Sequence, residues 1–338
     1  MKPSVTAHHH GVQWVTMNIV IAGGSGFIGR PLCRSLIQEG HRVTVLSRSP
    51  REAACVLDSR VNTMGWDGQT HGAWQHELES ADAVINLAGE PIADKRWTKA
   101  RRQILRESRV GPTRLLVEAL GRLPGRPRTF INTSGVGYYG PRDATAVSEQ
   151  TSSGSGFLAE LSTAGERQAM QAEDCGIRVI RLRIGIVLGK DGGALPRMIL
   201  PFRFLAGGPI LPGDQWISWI HRQDLIGIIQ WTLGNPQISG PVNGVAPGSV
   251  TMNEFSRTIG HVLGRPSWLP IPELVLRLAL GDLATILTTG QRVEPAVALQ
   301  GGYVFRYPTL EPALHEIMAT TSKPCPRDLS KKQKYTDG

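Results

Sequence analysis

Three glycines carry the first chemistry legible in this chain. In IAGGSGFIGRPL they form Gly23-x-x-Gly26-x-x-Gly29, directly between the apolar run NIVIA and a stretch of helical periodicity. Gly23 permits a tight turn, Gly26 lets the backbone approach a pyrophosphate, and Gly29 lets a helix pack close to a sheet. A helix that starts there turns its unpaired N–H groups and positive dipole end toward that phosphate. The same loop makes Ser25, Phe27, Ile28 and Arg30 candidate dinucleotide contacts, although Arg30 equally suits a solvent-facing helix position. The next β-like run ends at Ser47-Arg48, where an NAD site ordinarily has a carboxylate for the ribose 2′-OH. Arg48 pairs instead with a 2′-phosphate, which a carboxylate would repel, so NADP(H) is favoured over NAD(H).

Positioning such a loop requires a sheet. Short Val- and Ile-rich runs recur at Asn18–Ala22, Val43–Leu46, Ala83–Asn86, Phe130–Thr133, Arg178–Arg183 and Val242–Val245, separated by stretches of helical length such as Gly29–Glu39 and Gly111–Leu120. Ile28, Leu32 and Leu36 form the buried stripe of the first helix, and Gly40 ends it. This alternation predicts an α/β fold, a doubly wound parallel Rossmann sheet with a smaller C-terminal substrate lobe. The expected divisions are a flexible leader at 1–16, a dinucleotide-binding domain at 17–245 with part of the substrate lobe inserted near 190–215, a C-terminal lobe at 246–318 and a basic disordered tail at 319–338.

The 338 residues are 41% hydrophobic and 19% charged, the composition of a globular protein. Cys33, Cys55, Cys175 and Cys325 form no C-x-x-C pair, which fits unpaired thiols in a reducing, cytoplasmic setting rather than a disulfide framework or a zinc site. No metal site is expected, including at the histidine run of the leader. Glu273–Leu287 carries Glu273, Arg277 and Asp282, so it reads as an amphipathic or core helix rather than a membrane span, and no membrane partner is expected. The formal charge of +9 comes largely from the tail and from DKRWTKARRQILRESR. There Arg102, Arg106 and Arg109 share a helical face while Trp97, Ile104 and Leu105 point inward. A solvated face is the simplest account. Nucleic acid is not the expected partner, because no DNA- or RNA-reading motif accompanies the charge.

Several blocks go further: NLAGEPIADKRWT, TSGVGYYG, SRVGPTRLLVEAL, GFLAEL, RIGIVLGKDGGAL, WISWIHRQDL and GQRVEPAVALQGGYVFRYPTLEPAL. From about Met17 to Met318 the chain resembles extended short-chain dehydrogenases/reductases, most closely their epimerase-like subfamily with its own C-terminal domain. The resemblance implies that Leu87, Ala88 and Gly89 pass beneath the nicotinamide ribose. It places Ser134 on the family's catalytic serine, at a strand end, to hydrogen-bond a substrate carbonyl or alcohol; a turn serine is the alternative. Tyr139 is implied to be packing, with Tyr138 less determined. Trp219 and His221 lie where relatives bring a loop toward substrate, inter-lobe packing and a helix cap being their alternatives. Arg183 and Arg292 are implied contacts to an anionic substrate such as a diphosphate. Dimerisation through two helices is frequent in relatives, which makes a homodimer an expectation.

One departure stands out. Catalytic members of the superfamily carry Y-x-x-x-K on one helix, the lysine lowering the tyrosine's pKa for proton transfer. After GFLAEL those positions fall near Ser162 and Glu166. Glu166 would add negative charge where a cation belongs, and Gly165 stands where the subfamily commonly has an aromatic residue, leaving a gap or a pocket that accepts something bulkier. Two expectations follow. One is an NADP(H)-dependent epimerase or reductase acting on an unknown hydroxyl- or carbonyl-bearing small molecule, a nucleotide sugar among the candidates, with Ser134 orienting it and Tyr138, Glu166 or water replacing the missing pair. The other is a non-catalytic NADP(H)-responsive redox sensor.

Overall fold

The computed structural model describes residues 16–123 and 127–319. The leader to residue 15 with its histidines, and the tail from residue 320 with Cys325, lie outside the described residues.

The chain begins β1 (Asn18–Ala22), α1 (Gly29–Gln38), β2 (Arg42–Ser47), α2 (Pro50–Val56), β3 (Asn62–Gly65), α3 (His76–Glu79), β4 (Ala83–Asn86) and α4 (Lys99–Arg122). It continues β5 (Thr129–Gly135), α5 (Phe157–Met170), β6 (Arg178–Ile184), β7 (Ile186–Leu188), α6 (Leu195–Arg203), β8 (Trp216–Ile217), β9 (Trp219–His221) and α7 (Arg222–Gly234). Last come β10 (Gly240–Gly244), β11 (Val250–Thr251), α8 (Met252–Leu263), α9 (Glu273–Leu280), α10 (Ala284–Thr288), α11 (Ala296–Gln300) and α12 (Leu310–Ala319).

Seven strands form one parallel sheet in the order β10-β6-β5-β4-β1-β2-β3. The chain runs outward from β1 to β3, then returns to β4 on the other side of β1. The switch point lies between β1 and β4, where an open α/β sheet has its ligand crevice. Leu32, Leu36, Leu225 and Ile229 cover one face from α1 and α7, while Leu115, Leu116, Ala119 and Leu120 cover the other from α4. A separate core joins Leu195 and Phe202 of α6, Phe255 and Ile259 of α8, and Leu310, Leu314 and Ile317 of α12.

Four local readings are corrected. The edge strand β3 was not legible, because NTMG lacks an apolar alternation. Gly111–Leu120 is only the second half of α4, a 24-residue helix that passes through Pro112. Within α4, Leu105 is buried but Ile104 is exposed, and the half-exposed Arg102 pairs with Asp282 beside the Trp97 and Phe157 rings, while Arg109 leaves the solvated face to bond the Glu90 carbonyl. Glu273–Leu287 is two helices, broken where Gly281 takes φ +62°, and Leu274, Val275 and Leu278 are exposed, so α9 is not a core helix. No helix among the described residues is long and apolar enough to cross a membrane.

Candidate functional site

The glycine loop sits at the switch point, and each glycine there has a different neighbour. Gly23 adopts φ +78°, and a Cβ on it would lie 2.9 Å from the Leu87 carbonyl, so the loop after β4 rests directly on this turn. A Cβ on Gly29 would lie 2.5 Å from the Gly24 backbone, and one on Gly24 would lie 2.5 Å from Val45. Gly26 is exposed and faces the open side. A loop with one bare outward face at a helix N-terminus is a cradle that fits a pyrophosphate. Ser25, Ile28 and Arg30 are half-buried around it. Phe27 turns elsewhere. Its ring fills the space a Cβ would need at Gly189 (2.8 Å), Gly192 (2.6 Å) and Gly193 (3.0 Å), with the Arg222 guanidinium 4.8 Å from the ring centroid. Its side chain is therefore a packing anchor, which accounts for the glycines of GKDGG.

Leu87 donates its N–H to Ala22, and Ala88 donates to Asn86 Oδ1, which holds Leu87–Gly89 across the crevice from the glycine turn. Asn86, Thr113 and Asn132 form a buried hydrogen-bonded triangle beneath them. Gly89 packs on Arg109, whose Cζ would lie 3.3 Å from a Cβ there. Arg48, at the end of β2, is exposed and lies 3.7 Å from Glu90. Arg101 and Arg109 close in on the same glutamate from α4. Arg109 is pushed down to about 10, chiefly by burial and then by the like charge of Arg101. The sequence reading missed Glu90 and Arg101 and took Arg109 for part of a solvated face, although NLAGE placed the carboxylate immediately after Gly89.

On the two strands beyond β4, Ser134 and Arg183 are register partners on β5 and β6. The Ser134 hydroxyl is buried and has no hydrogen-bond partner among the described residues. Tyr138, on the 3-10 turn that follows, stacks on the Arg183 guanidinium at 3.4 Å. Arg183 in turn makes a bidentate pair with Glu166, Nε to Oε1 and Nη2 to Oε2, both 2.8 Å. Both side chains are almost wholly buried. This corrects two expectations. Both Glu166 oxygens accept from one arginine, which leaves neither free for acid–base work, and the Arg183 guanidinium is committed to Glu166 and Tyr139 rather than turned toward a substrate anion. Nor does Glu166 leave an uncompensated negative charge, because β6 supplies the cation that α5 lacks. Arg183 also donates to the hydroxyl of Tyr139, which donates to Asn243. Tyr139 is accordingly packed into the interior. A Cβ placed on Gly165 would meet nothing within 4 Å, so the gap beside Glu166 is real.

The WISWIHRQDL block is structural. Trp219 is fully buried and donates its indole N–H to Gly248, which removes it as a substrate contact. His221 caps α7, its Nδ1 accepting from Gln223 and its Nε2 lying 3.0 Å from Glu316. It is a cap rather than an acid–base group. Arg292 is exposed and stacks on Trp216 with its Cζ 5.0 Å from the ring centroid.

Burial holds the His221 imidazole below its ordinary value of 6.5, against the smaller opposing pulls of Glu316 and Asp224. The unfolded chain therefore takes up the proton first, and this residue's share of stability is lost as pH falls below about 6.5. In urea midpoints measured from about pH 8 downward, His221→Gln should flatten part of that decline. An unchanged slope would show that the imidazole binds its proton equally well in the folded and unfolded chain.

With this geometry established, relatives are informative. Residues 19–243 match the model of the NAD dependent epimerase/dehydratase family, and residues 271–317 match DUF1731, a domain of unknown function. The epimerase family protein YfhF of Bacillus subtilis is 39% identical over 304 residues, covering 90% of this chain and 98% of its own. A crystal structure of the human epimerase family protein SDR39U1 (isoform 2) with NADPH superposes with a TM-score of 0.79 at 36% identity, covering 89% of this chain and 99% of that one. The nucleoside-diphosphate sugar epimerase of Corynebacterium glutamicum has a TM-score of 0.72 at 30% identity, covering 90% of this chain and 58% of that one. The seven-stranded parallel sheet, the glycine cradle at its switch point and the two matched segments make this chain a member of the NAD dependent epimerase/dehydratase family, in the SDR39U1-like branch that carries a DUF1731 C-terminal domain.

Proposed function

We propose that this protein binds NADP(H) and acts as a reductase- or epimerase-like enzyme on a hydroxyl- or carbonyl-bearing small molecule, with nucleotide sugars the first class to test. The observation that carries the reading is the buried, unpartnered Ser134 hydroxyl at the C-terminal end of β5. A buried polar group without a partner is costly, and its retention at a strand end beside the crevice suits a group whose partner is a ligand. Gly23, Gly24, Gly26 and Gly29 would hold the pyrophosphate, Leu87–Gly89 would line the nicotinamide side, and Arg48 would meet the 2′-phosphate. When bound, the cofactor supplies hydride transfer. The chain's own part is to hold a substrate oxygen on Ser134 and to move a proton at the Tyr138 hydroxyl. Arg183 keeps that ring in place by stacking beneath it, and Glu166 keeps Arg183 in place. The NADPH in the human relative's crystal structure and the name of the Corynebacterium relative support the cofactor and the substrate class respectively.

The test is nicotinamide absorbance in purified protein with NADPH or NADP⁺, against panels of carbonyls, alcohols and nucleotide sugars. Turnover that Ser134→Ala reduces by about 10²-fold or more supports the proposal. Arg48→Asp should weaken NADPH by about 10- to 100-fold and leave NADH within a few-fold. Equal weakening of both would remove the 2′-phosphate assignment.

A second reading has one observation in its favour. The helix positions of the family's Tyr–Lys pair hold Ser162 and a Glu166 locked to Arg183, so α5 itself offers no acid–base pair. Tight NADPH binding with no turnover on any panel would support a redox-responsive binding protein instead.

A further inference from the structure

Glu90 is fixed from four directions. Its N–H donates to Ser108 Oγ (3.1 Å), its carbonyl accepts from Arg109 (2.8 Å), and its Oε2 accepts from Arg101 (3.3 Å). The remaining oxygen, Oε1, lies 3.7 Å from Nη2 of Arg48. Arg101 is itself 6% exposed, donates to the Pro91 carbonyl, and keeps an Nε–H with no acceptor among the described residues. Two guanidinium groups, Arg48 and Arg101, thus reach the carboxylate and a third, Arg109, holds the backbone carbonyl of the same residue, leaving a surplus of two positive charges beside Gly89. A phosphate monoester, with a charge of about −1.5 to −2 near neutrality, is the anion that balances such a surplus.

Resting on the NADP(H) reading above, we propose that Glu90 is a specificity-determining residue of the dinucleotide site, its carboxylate competing with the 2′-phosphate of NADP(H) for Arg48. The pair is exposed on the Arg48 side, so it is weak and yields to a dianion without barring it. The competition costs only the phosphorylated cofactor. A neutral 2′-OH brings no charge to Arg48, so NAD(H) gains nothing when Glu90 is neutralised. Glu90 therefore narrows the preference that Arg48 creates, and it does so from a different strand end.

The experiment is direct titration of NADPH and NADH, by nicotinamide fluorescence or calorimetry, into wild type, Glu90→Gln and Glu90→Asp. Glu90→Gln keeps the shape and the Arg101 contact while removing the charge. It should tighten NADPH by about three- to tenfold and leave NADH within about twofold. The advantage should shrink as salt is raised, since the pair is exposed. Glu90→Asp stays charged but withdraws the carboxylate, and should fall between wild type and Glu90→Gln; it also carries the test if the glutamine variant does not fold. Equal changes for both dinucleotides, or weaker NADPH binding in Glu90→Gln, would overturn the assignment of Glu90 alone. A wild type that binds neither dinucleotide would overturn it together with the cofactor reading.

Discussion

Glu166→Ala should destabilise the protein by about 3–5 kcal/mol, because it leaves the Arg183 guanidinium charged and buried with no counter-ion. Arg183 is 2% exposed and both its terminal contacts to Glu166 are 2.8 Å, so neither water nor an alternative rotamer readily replaces the carboxylate. The pairing raises the guanidinium above its ordinary value despite burial, so the arginine does not escape by losing its proton. Removing both charges is a different experiment. A Glu166→Leu/Arg183→Met variant should recover most of the loss, since desolvating two ions nearly cancels their attraction. Urea unfolding of the single and double variants measures both effects. A loss below about 1 kcal/mol in Glu166→Ala would mean that Arg183 finds another anion, and Glu149, whose Oε2 lacks a hydrogen-bond partner among the described residues, would be the first place to look. The functional consequence is separate from the stability. With Arg183 no longer held, the stacked Tyr138 ring loses its support. Turnover in the double variant should therefore stay low even where folding is restored.

Asp224→Ala should cost about 2–3 kcal/mol, a consequence of the two part-buried backbone donors that would lose their carboxylate acceptor. Asp224 is fully buried in the first turn of α7, where the helix dipole favours an anion. Its Oδ1 accepts from the Arg306 N–H (2.8 Å) and its Oδ2 from the Tyr307 N–H (2.9 Å), which ties the segment leading into α12 to the main sheet's covering helix. The Tyr303 hydroxyl meets the same residue, donating to its backbone carbonyl at 3.0 Å. Asp224→Asn should retain part of the stability, because its carbonyl oxygen still accepts one of the two bonds. The loss should appear first as proteolysis near residues 301–309, before global unfolding, if the C-terminal segment detaches locally. Cleavage spread evenly over the chain would argue that Asp224 holds the whole fold rather than this junction.

Both predictions concern residues whose importance depends on partners far away in sequence, and this marks where legibility ended. The ends of β1 and β4 and the place of the cofactor loop followed from short-range pattern alone: apart from a terminal asparagine, NIVIA and AVIN are apolar because both faces of a parallel sheet are covered. Gly40, at φ +88°, ends α1 as its position after the apolar stripe implied. Pro112 concealed the unity of α4, since a proline ordinarily ends a helix. In the structure Thr113 donates its hydroxyl to the Arg109 carbonyl across that turn, and the proline ring packs on Gly68. The last strand runs Gly240–Gly244 rather than Val242–Val245, because its pairing with β6 and not its own apolarity sets its limits.

The glycine spacing, Arg48 at the end of the second strand and the absence of Tyr and Lys from GFLAELSTAGERQAM were properties of the sequence by itself, since each depends on residue type at a fixed local offset. The sign of the charge at the missing pair was not. Read along the helix, Glu166 put a negative charge where the superfamily has a lysine; in space, Arg183 comes from a strand 17 residues further on and cancels it. Likewise Arg48 looked like a lone guanidinium until β4 brought Glu90 within 3.7 Å of it. Helix and strand periods act over a few residues, whereas electrostatic partners are chosen by whichever strands lie side by side. For that reason the sequence alone determined where a dinucleotide would be held, and only the tertiary structure decided which of its charged residues remain available to meet a ligand.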